Sequence, residues 1–468
     1  MSSKNKNKYK FITGISMISV MIFMIMSRSF DEQLFDYISY FSCILVLVMC
    51  WREIQIREAY LLSICLVLSI LSIYVLKLPL DVFLSAISQA TFLMAFLLFL
   101  SLLNEAASTS NSVKKCGEYL TRQHSNRRYF SIFIGTNIMA VLFNLGIISL
   151  LSPLIKKNNT KSAKRSFLIN FIEQRQTIAM LRGFSWCVVW SPTAIAPVVL
   201  IEMINGIDRF IWSIYGIVIA TVMCLIGWIE EKFQTKDVRN FNTNLITRKP
   251  FPVKAFLKFT LILFFLFGLT IFFTVLSSDT IVFGLIVSCP VVMFSWIIFQ
   301  NNQDKQKSIS SKLSKIFFVS LPKNSSIIIT LCCSGYIGIV TSKMVSIDYI
   351  TSFVDIYALP EYLFLLIISI LIVPFSWLGV SPIMMAVFFG SMLGSIKILP
   401  TDPTLVALAV SAGWALSMTS SPFATVVLMI SKLNKYSTIK LTFIWNSLFS
   451  ILAIAVLYVI FYFLTNGQ

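Results

Sequence analysis

Histidine is almost missing from this chain. His124, in a polar stretch, is the only one in 468 residues, which excludes a histidine-centred zinc site or a Ser-His-Asp triad. Acidic residues are scarce too, with 20 Asp and Glu against 38 Lys and Arg, and the net charge is +18. The nine cysteines are scattered through mostly apolar segments, without the paired spacing of a metal site. Cys332 and Cys333 are sequence neighbours, which suits neither zinc nor a simple bridge. Charged residues make up only 12%, so no soluble domain has room between the apolar runs.

What is present is apolar. Hydrophobic residues reach 57% and the mean hydropathy is +0.84. Stretches of membrane-crossing length, separated by short charged loops, predict an all-α polytopic membrane protein. The basic excess then belongs to cytoplasmic loops rather than to a nucleic-acid surface. Basic Met1–Lys10 followed by apolar 11–27 resembles a signal peptide; with no small-residue cleavage site before Arg28, it predicts an uncleaved first span.

Candidate spans follow at 34–51, 59–77 and 82–103. The apolar segment 131–154 is flanked on one side by Lys114, Lys115, Arg122, Arg127 and Arg128, and on the other by Lys156, Lys157, Lys161, Lys164 and Arg165. A single crossing would leave one basic flank outside, against the positive-inside rule. A re-entrant hairpin that enters and leaves on the cytoplasmic side removes the conflict. Phe143-Asn144-Leu145-Gly146, an amide and a glycine deep in apolar sequence, suits its tip. Spans at 177–204, 208–228, 254–276, 280–299 and 326–346 come next. Residues 361–399, broken by Trp377-Leu378-Gly379-Val380-Ser381-Pro382, predict a second hairpin entered from outside, before spans 404–432 and 440–464. Between 305 and 321, Ile309, Leu313, Ile316, Phe317 and Leu321 share one helical face, as in an amphipathic interfacial helix.

The order of elements repeats. A tail and extra first span, 1–33, precede repeat 1 (34–228); a cytoplasmic linker (229–253) leads to repeat 2 (254–464). Each repeat reads as spans, hairpin, broken span and span. An odd number of crossings per repeat turns the second copy over, giving about 11 transmembrane helices and two re-entrant hairpins in two inverted-topology repeats. The N-terminus then lies in the cytoplasm and the C-terminus outside an inner or plasma membrane, with Asp31, Glu32, Asp81, Asp208, Asp279, Asp348, Asp355, Glu361 and Asp402 in outside loops.

The two broken spans match. SWCVVWSPTAIAPVVLIEMI (185–204) and SAGWALSMTSSPFATVVLMIS (411–431) each carry a Trp, then Ser-Pro-x-Ala, then an apolar run. Proline inside a membrane helix removes a donor and frees a carbonyl, and freed backbone at membrane depth survives only inside protein or beside a water-filled cavity. Paired breaks in corresponding places point to a transporter's binding site.

On these features the chain resembles the ion transporter superfamily, in particular its divalent anion:sodium symporter and citrate transporter-like members. The resemblance, covering about residues 34–464, is one of architecture. It implies an elevator-like secondary carrier and a homodimer. Carried over, the solute-binding residues are Asn144 and Gly146 at the first tip, Ser191, Pro192 and Thr193 at the first break, Gly379 and Ser381 at the second tip, and Thr419, Ser420, Ser421 and Pro422 at the second break. Sodium sites would lie near Asn144, Ser191, Ser381 and Ser421. Neither tip has the superfamily's full Ser-Asn-Thr, so the resemblance supports a carrier better than dicarboxylate chemistry.

The residues themselves favour a small anionic solute. Half-helix N-termini offer backbone N–H groups to an anion without any charged side chain, and unwound carbonyls offer oxygen to sodium. No cofactor is implied; coupling to sodium or to protons stays open, with Glu202 the nearest carboxylate for the latter. Arg182 reads first as a snorkelling interfacial arginine and second as a counter-charge for the solute. Trp190 and Trp414 read as packing residues. Two other classes compete: a membrane-embedded polysaccharide-processing enzyme, disfavoured by short outside loops, and a non-transporting channel or scaffold. The partners expected are a small solute, the bilayer and a second copy, without nucleic acid.

Overall fold

The computed structural model describes residues 3–30, 32–51, 54, 56–159, 166–234, 250–303, 309–345, 357–396 and 398–466. In chain order the helices are α1 (Ser3–Phe30), α2 (Gln33–Met49), α3 (Ile56–Tyr74), α4 (Leu80–Ser108), α5 (Asn111–Thr121), α6 (Ser125–Phe143), α7 (Gly146–Asn159), α8 (Ser166–Cys187), α9 (Ile195–Met203) and α10 (Arg209–Gln234). The second half holds α11 (Val253–Ser277), α12 (Ile281–Gln303), α13 (Ile309–Lys315), α14 (Leu321–Lys323), α15 (Ser325–Met344), α16 (Glu361–Trp377), α17 (Pro382–Gly394), α18 (Pro403–Ser420), α19 (Thr425–Asn434) and α20 (Ser447–Asn466). The protein is an all-α polytopic membrane protein. Among the described residues, eight stretches are long and apolar enough to cross a bilayer: α1, α4, α10, α11, α12, α15, α18–α19 and α20. The shorter apolar α2 and α3 and the broken α8–α9, which carries Arg175 and Arg182, lie where three further spans are expected from the sequence.

The outside loop with Asp348 and Asp355, and the basic residues Lys161, Lys164, Arg165, Lys236, Arg239, Arg248, Lys249 and Lys305, lie outside the described residues.

The chain forms two compact units, each built from both halves of the sequence: Met1–Ser110 with Phe259–Ser346, and Asn111–Lys258 with Ile347–Gln468. In the first unit, α4 and α15 form the core. The apolar stretch of α4 is 83% buried whereas that of α11 is 17% buried, so α4 is shielded by the rest of the chain and α11 is largely exposed. Helices α2, α3 and α12 pack around this pair. Two polar contacts join α3 to α15: Ser326 donates to Glu58 at 2.6 Å, and Ser69 and Tyr336 share a hydrogen bond of 2.6 Å. The amphipathic segment differs from its expected form. A π-helical turn at Ile316–Ser320 inserts extra residues per turn and rotates the apolar face, so Phe318 stacks on Phe11 of α1 with centroids 4.7 Å apart.

The second unit holds α5–α10 and α16–α20, that is, both helix–turn–helix pairs and both broken helices. Local chemistry sets its boundaries. Asp208 Oδ1 accepts from the Phe210 and Ile211 amides at 2.9 and 3.0 Å and starts α10, and Asp402 accepts from the Thr404 amide at 2.6 Å and starts α18. Lys435, in the left-handed region (φ 60°), ends α19.

Candidate functional site at two helix breaks

Both expected hairpin tips are sharp turns. Helix α6 stops at Phe143 and α7 starts at Gly146; between them Asn144 has φ 45°, and its own Oδ1 accepts from the Leu145 amide at 2.8 Å. Helix α16 stops at Trp377 and α17 starts at Pro382, with Gly379 at φ 86° between them. Asparagine and glycine are the residues that tolerate this backbone. Ser381 is the buried residue preceding α17, and its carbonyl accepts the first-turn amide of Met385 at 3.2 Å.

The two broken helices follow the same backbone plan. Ser191 N donates to Cys187 O and Ala194 N to Ser191 O, both at 3.0 Å; Ser421 N donates to Ser417 O at 2.8 Å and Ala424 N to Ser421 O at 3.2 Å. The second half-helices, α9 and α19, therefore each start after an alanine cap, Ala194 and Ala424, with no side chain capping their first amides.

Each break is tied to the hairpin arm of its own half. The Thr193 hydroxyl donates to Val141 O of α6 at 2.6 Å and shares a 3.0 Å hydrogen bond with the Ser191 hydroxyl. The Ser421 hydroxyl donates to Ser376 O of α16 at 2.7 Å. Ser420 and Thr419 turn their hydroxyls back onto Leu416 O at 2.7 and 2.9 Å, and Thr419 also meets Ser450 at 3.4 Å. Ser191, Thr193, Thr419, Ser420 and Ser421 are all buried.

Indoles cap carbonyls that the breaks release. Trp212 Nε1 donates to Val189 O at 2.8 Å, and Trp377 Nε1 donates to Ser420 O at 3.1 Å. Unwound carbonyls were expected as sodium ligands, but these two are already taken. Trp190 does more than pack, since its Nε1 donates to Asn137 Oδ1 at 2.7 Å, while Asn137 Nδ2 donates to Gly183 O at 3.0 Å.

A pair of glycines sets how closely arm and broken helix approach. A Cβ on Gly183 would fall under 3.0 Å from Phe133 O of α6, and one on Gly413 under 3.0 Å from Ser369 O of α16. Gly183 precedes Ser191 by the same spacing as Gly413 precedes Ser421. The sequence pointed to no role for Asn137, Trp212 or these glycines, and marked Trp377 only as the start of the second tip; the shared glycine spacing was the available signal.

Across the halves the packing is reciprocal. The return arm α17 lies on α9, with Gly394 against Met203 O, and the return arm α7 lies on α19, with Lys156 Nζ donating to Leu433 O at 2.7 Å. Helices α8 and α18 also pack together.

The reading of Arg182 as a snorkelling residue is corrected. Arg182 is fully buried in α8; Nη1 pairs with Glu230 Oε2 of α10 at 2.8 Å, and Nε donates to Asn446 Oδ1 at 2.8 Å. Its guanidinium also stacks on Phe449, 4.0 Å from the ring centroid. An arginine so completely neutralised lacks free charge for a solute. The neighbouring Arg175 pairs with Glu231 and Gln234. Glu202 sits at the end of α9, half-buried.

Among the described residues, no group of three or more His, Cys, Asp and Glu is placed to hold a metal ion. No protein-family profile and no curated protein sequence matches the chain. Its fold is similar to the solved crystal structure of the YdaH transporter of Alcanivorax borkumensis, which is described as having an unusual topology. The TM-score is 0.56 at 11% identity, covering 88% of this chain and 99% of that one.

Proposed function

We propose that the protein is a secondary active transporter for a small anionic solute, which binds at the two helix breaks. The observation that carries this reading is the reciprocal packing: each return arm lies on the half-helix of the opposite break, and each half-helix opens with amides that no side chain caps. Two half-helix N-termini with uncapped amides, and no free cation beside them among the described residues, suit a compact anion. The likeness in fold to a transporter supports the class.

Asn144, Gly146, Ser191, Pro192, Thr193, Gly379, Ser381, Thr419, Ser420, Ser421 and Pro422 remain the solute-facing set in this reading. The break hydroxyls already donate to carbonyls, so what they offer a ligand is oxygen lone pairs. That favours sodium beside Ser191 and Ser421, with Asn144 and Ser381 contributing from the tips, over direct anion contact by these hydroxyls. Elevator-like motion of the second unit, an inverted repeat, re-entrant hairpins, a homodimer and a cytoplasmic N-terminus complete the proposal.

Proteoliposomes containing the purified protein, offered small organic and inorganic anions under imposed sodium or proton gradients, test it. Gradient-driven uptake of one anion class is expected. Uptake indifferent to either gradient would make the protein a channel, and no uptake of any anion would remove the reading.

A further inference from the structure

Four of the cysteines gather in the first unit. Cys332 and Cys333 are consecutive on α15 and so point in directions about 100° apart. Each faces a cysteine of a different helix. Cys332 Sγ lies 3.7 Å from Cys43 Sγ of α2, and Cys65 of α3 reaches the Cys333 carbonyl at 3.9 Å. The adjacency that made these thiols useless to each other gives each of them a partner elsewhere. Cys43, Cys332 and Cys333 are buried, and Cys65 is half-buried at the edge of the cluster.

We propose that Cys43 and Cys332 are a redox-modification site that closes to a disulfide on exposure to a hydroperoxide able to enter the bilayer. A sulfur–sulfur distance of 3.7 Å is too long for a bond of about 2.05 Å, but rotation of two unbranched side chains about χ1 covers such a gap without moving a helix. The chemistry balances. One sulfur attacks the terminal peroxide oxygen, the O–O bond breaks, and the alcohol or water leaves with the thiol proton, giving a sulfenic acid. The second sulfur attacks the first, the S–S bond forms, the S–O bond breaks, and hydroxide leaves with the second proton as water. Two thiols thus give up two electrons to one hydroperoxide. The surroundings select this outcome. Among the described residues no cationic side chain lies against either sulfur, and the nearest nucleophile is the facing thiol, 3.7 Å away.

Both sulfurs belong to one compact unit, and the bond closes a chain separation of 289 residues. Cross-links over long separations restrict the unfolded chain most, so the oxidised protein should resist unfolding while the pair links no group of the helix-break site. The site stands independently of the transport reading.

The test uses full-length protein in lipid nanodiscs, treated with tert-butyl hydroperoxide at doses raised until half-buried Cys65 has reacted. Alkylation after unfolding and peptide mass spectrometry then locate every thiol. The expected result is a peptide pair joined through Cys43 and Cys332, two hydrogens lighter than the reduced pair and released by dithiothreitol. The unfolding temperature should rise on oxidation in the natural protein, and in neither Cys43→Ser nor Cys332→Ser. If Cys65 has reacted, whether capped or joined to Cys333, while Cys43 and Cys332 remain alkylatable, the proposal is overturned. A linked pair that leaves the unfolding temperature unchanged would overturn the stabilising role.

Discussion

Arg182 and Glu230 meet at 2.8 Å with the arginine wholly sealed from solvent. Removing one member of a buried pair leaves the other charge stranded, at a cost of about 3–5 kcal/mol, whereas replacing both with apolar groups of similar volume is often neutral. Arg182→Met should therefore lower the unfolding temperature strongly, as should Glu230→Leu, while the double variant recovers most of the loss. Three equally damaged variants would show that Asn446 and Phe449, not the ion pair, carry the contribution.

The paired glycines make a sharper contrast. Gly183→Ala and Gly413→Ala each drive a methyl into a hairpin-arm carbonyl, and overpacking of this kind costs about 1–3 kcal/mol. Gly268 of α11 has open space around its would-be Cβ, so Gly268→Ala should gain about 0.5–1 kcal/mol from helix propensity alone. Unfolding curves in detergent would separate these signs; a stabilising Gly183→Ala would contradict the close approach of α6 and α8.

Thr193→Val and Ser421→Ala remove the hydroxyls that hold each break to its hairpin arm. An unmet buried carbonyl costs about 1–3 kcal/mol. If sodium uses the same oxygens, the sodium dependence of uptake should shift by about tenfold or more while Thr193→Ser stays close to the natural protein. Stability loss with unchanged sodium dependence would leave the hydroxyls a purely structural role.

Topology can be read by labelling. In a cysteine-free background, Arg127→Cys and Lys156→Cys, at the open ends of α6 and α7, should both resist an impermeant thiol reagent in intact cells. Labelling of one alone would mean that this pair crosses the bilayer. A reporter fused after Tyr357 should score as external, and a cytoplasmic score would end the inverted-repeat reading.

The breaks and tips were legible because their causes are local. At Ser191-Pro192 and Ser421-Pro422 the proline removes a backbone donor beside the break, and Asn144 and Gly379 accept a backbone that most residues refuse. The Arg182 partnership was not legible. Its partners lie on α10 and just before α20, and nothing in the spacing of Arg182, Glu230 and Asn446 marks them as neighbours. The division into units was hidden for the same reason. The sequence repeats run end to end, while packing sorts elements of both repeats into each unit. The π-helical turn at Ile316–Ser320 packs against α1 and runs directly into Leu321-Pro322, where the ladder loses a donor.

The reciprocal seating of α17 on α9 and of α7 on α19 has a consequence for synthesis. When α7 and α9 emerge, the surfaces they will rest on do not yet exist. At about 5–20 residues per second, on the order of ten seconds or more passes before the ribosome delivers them. During that interval the first hairpin and the first broken helix sit in the membrane without their covering arms, and Arg182, already met by Glu230 of α10, still lacks Asn446 and Phe449. Assembly of this unit is therefore a late event, and truncation before α17 should leave α7 and α9 uncovered and open to membrane quality control.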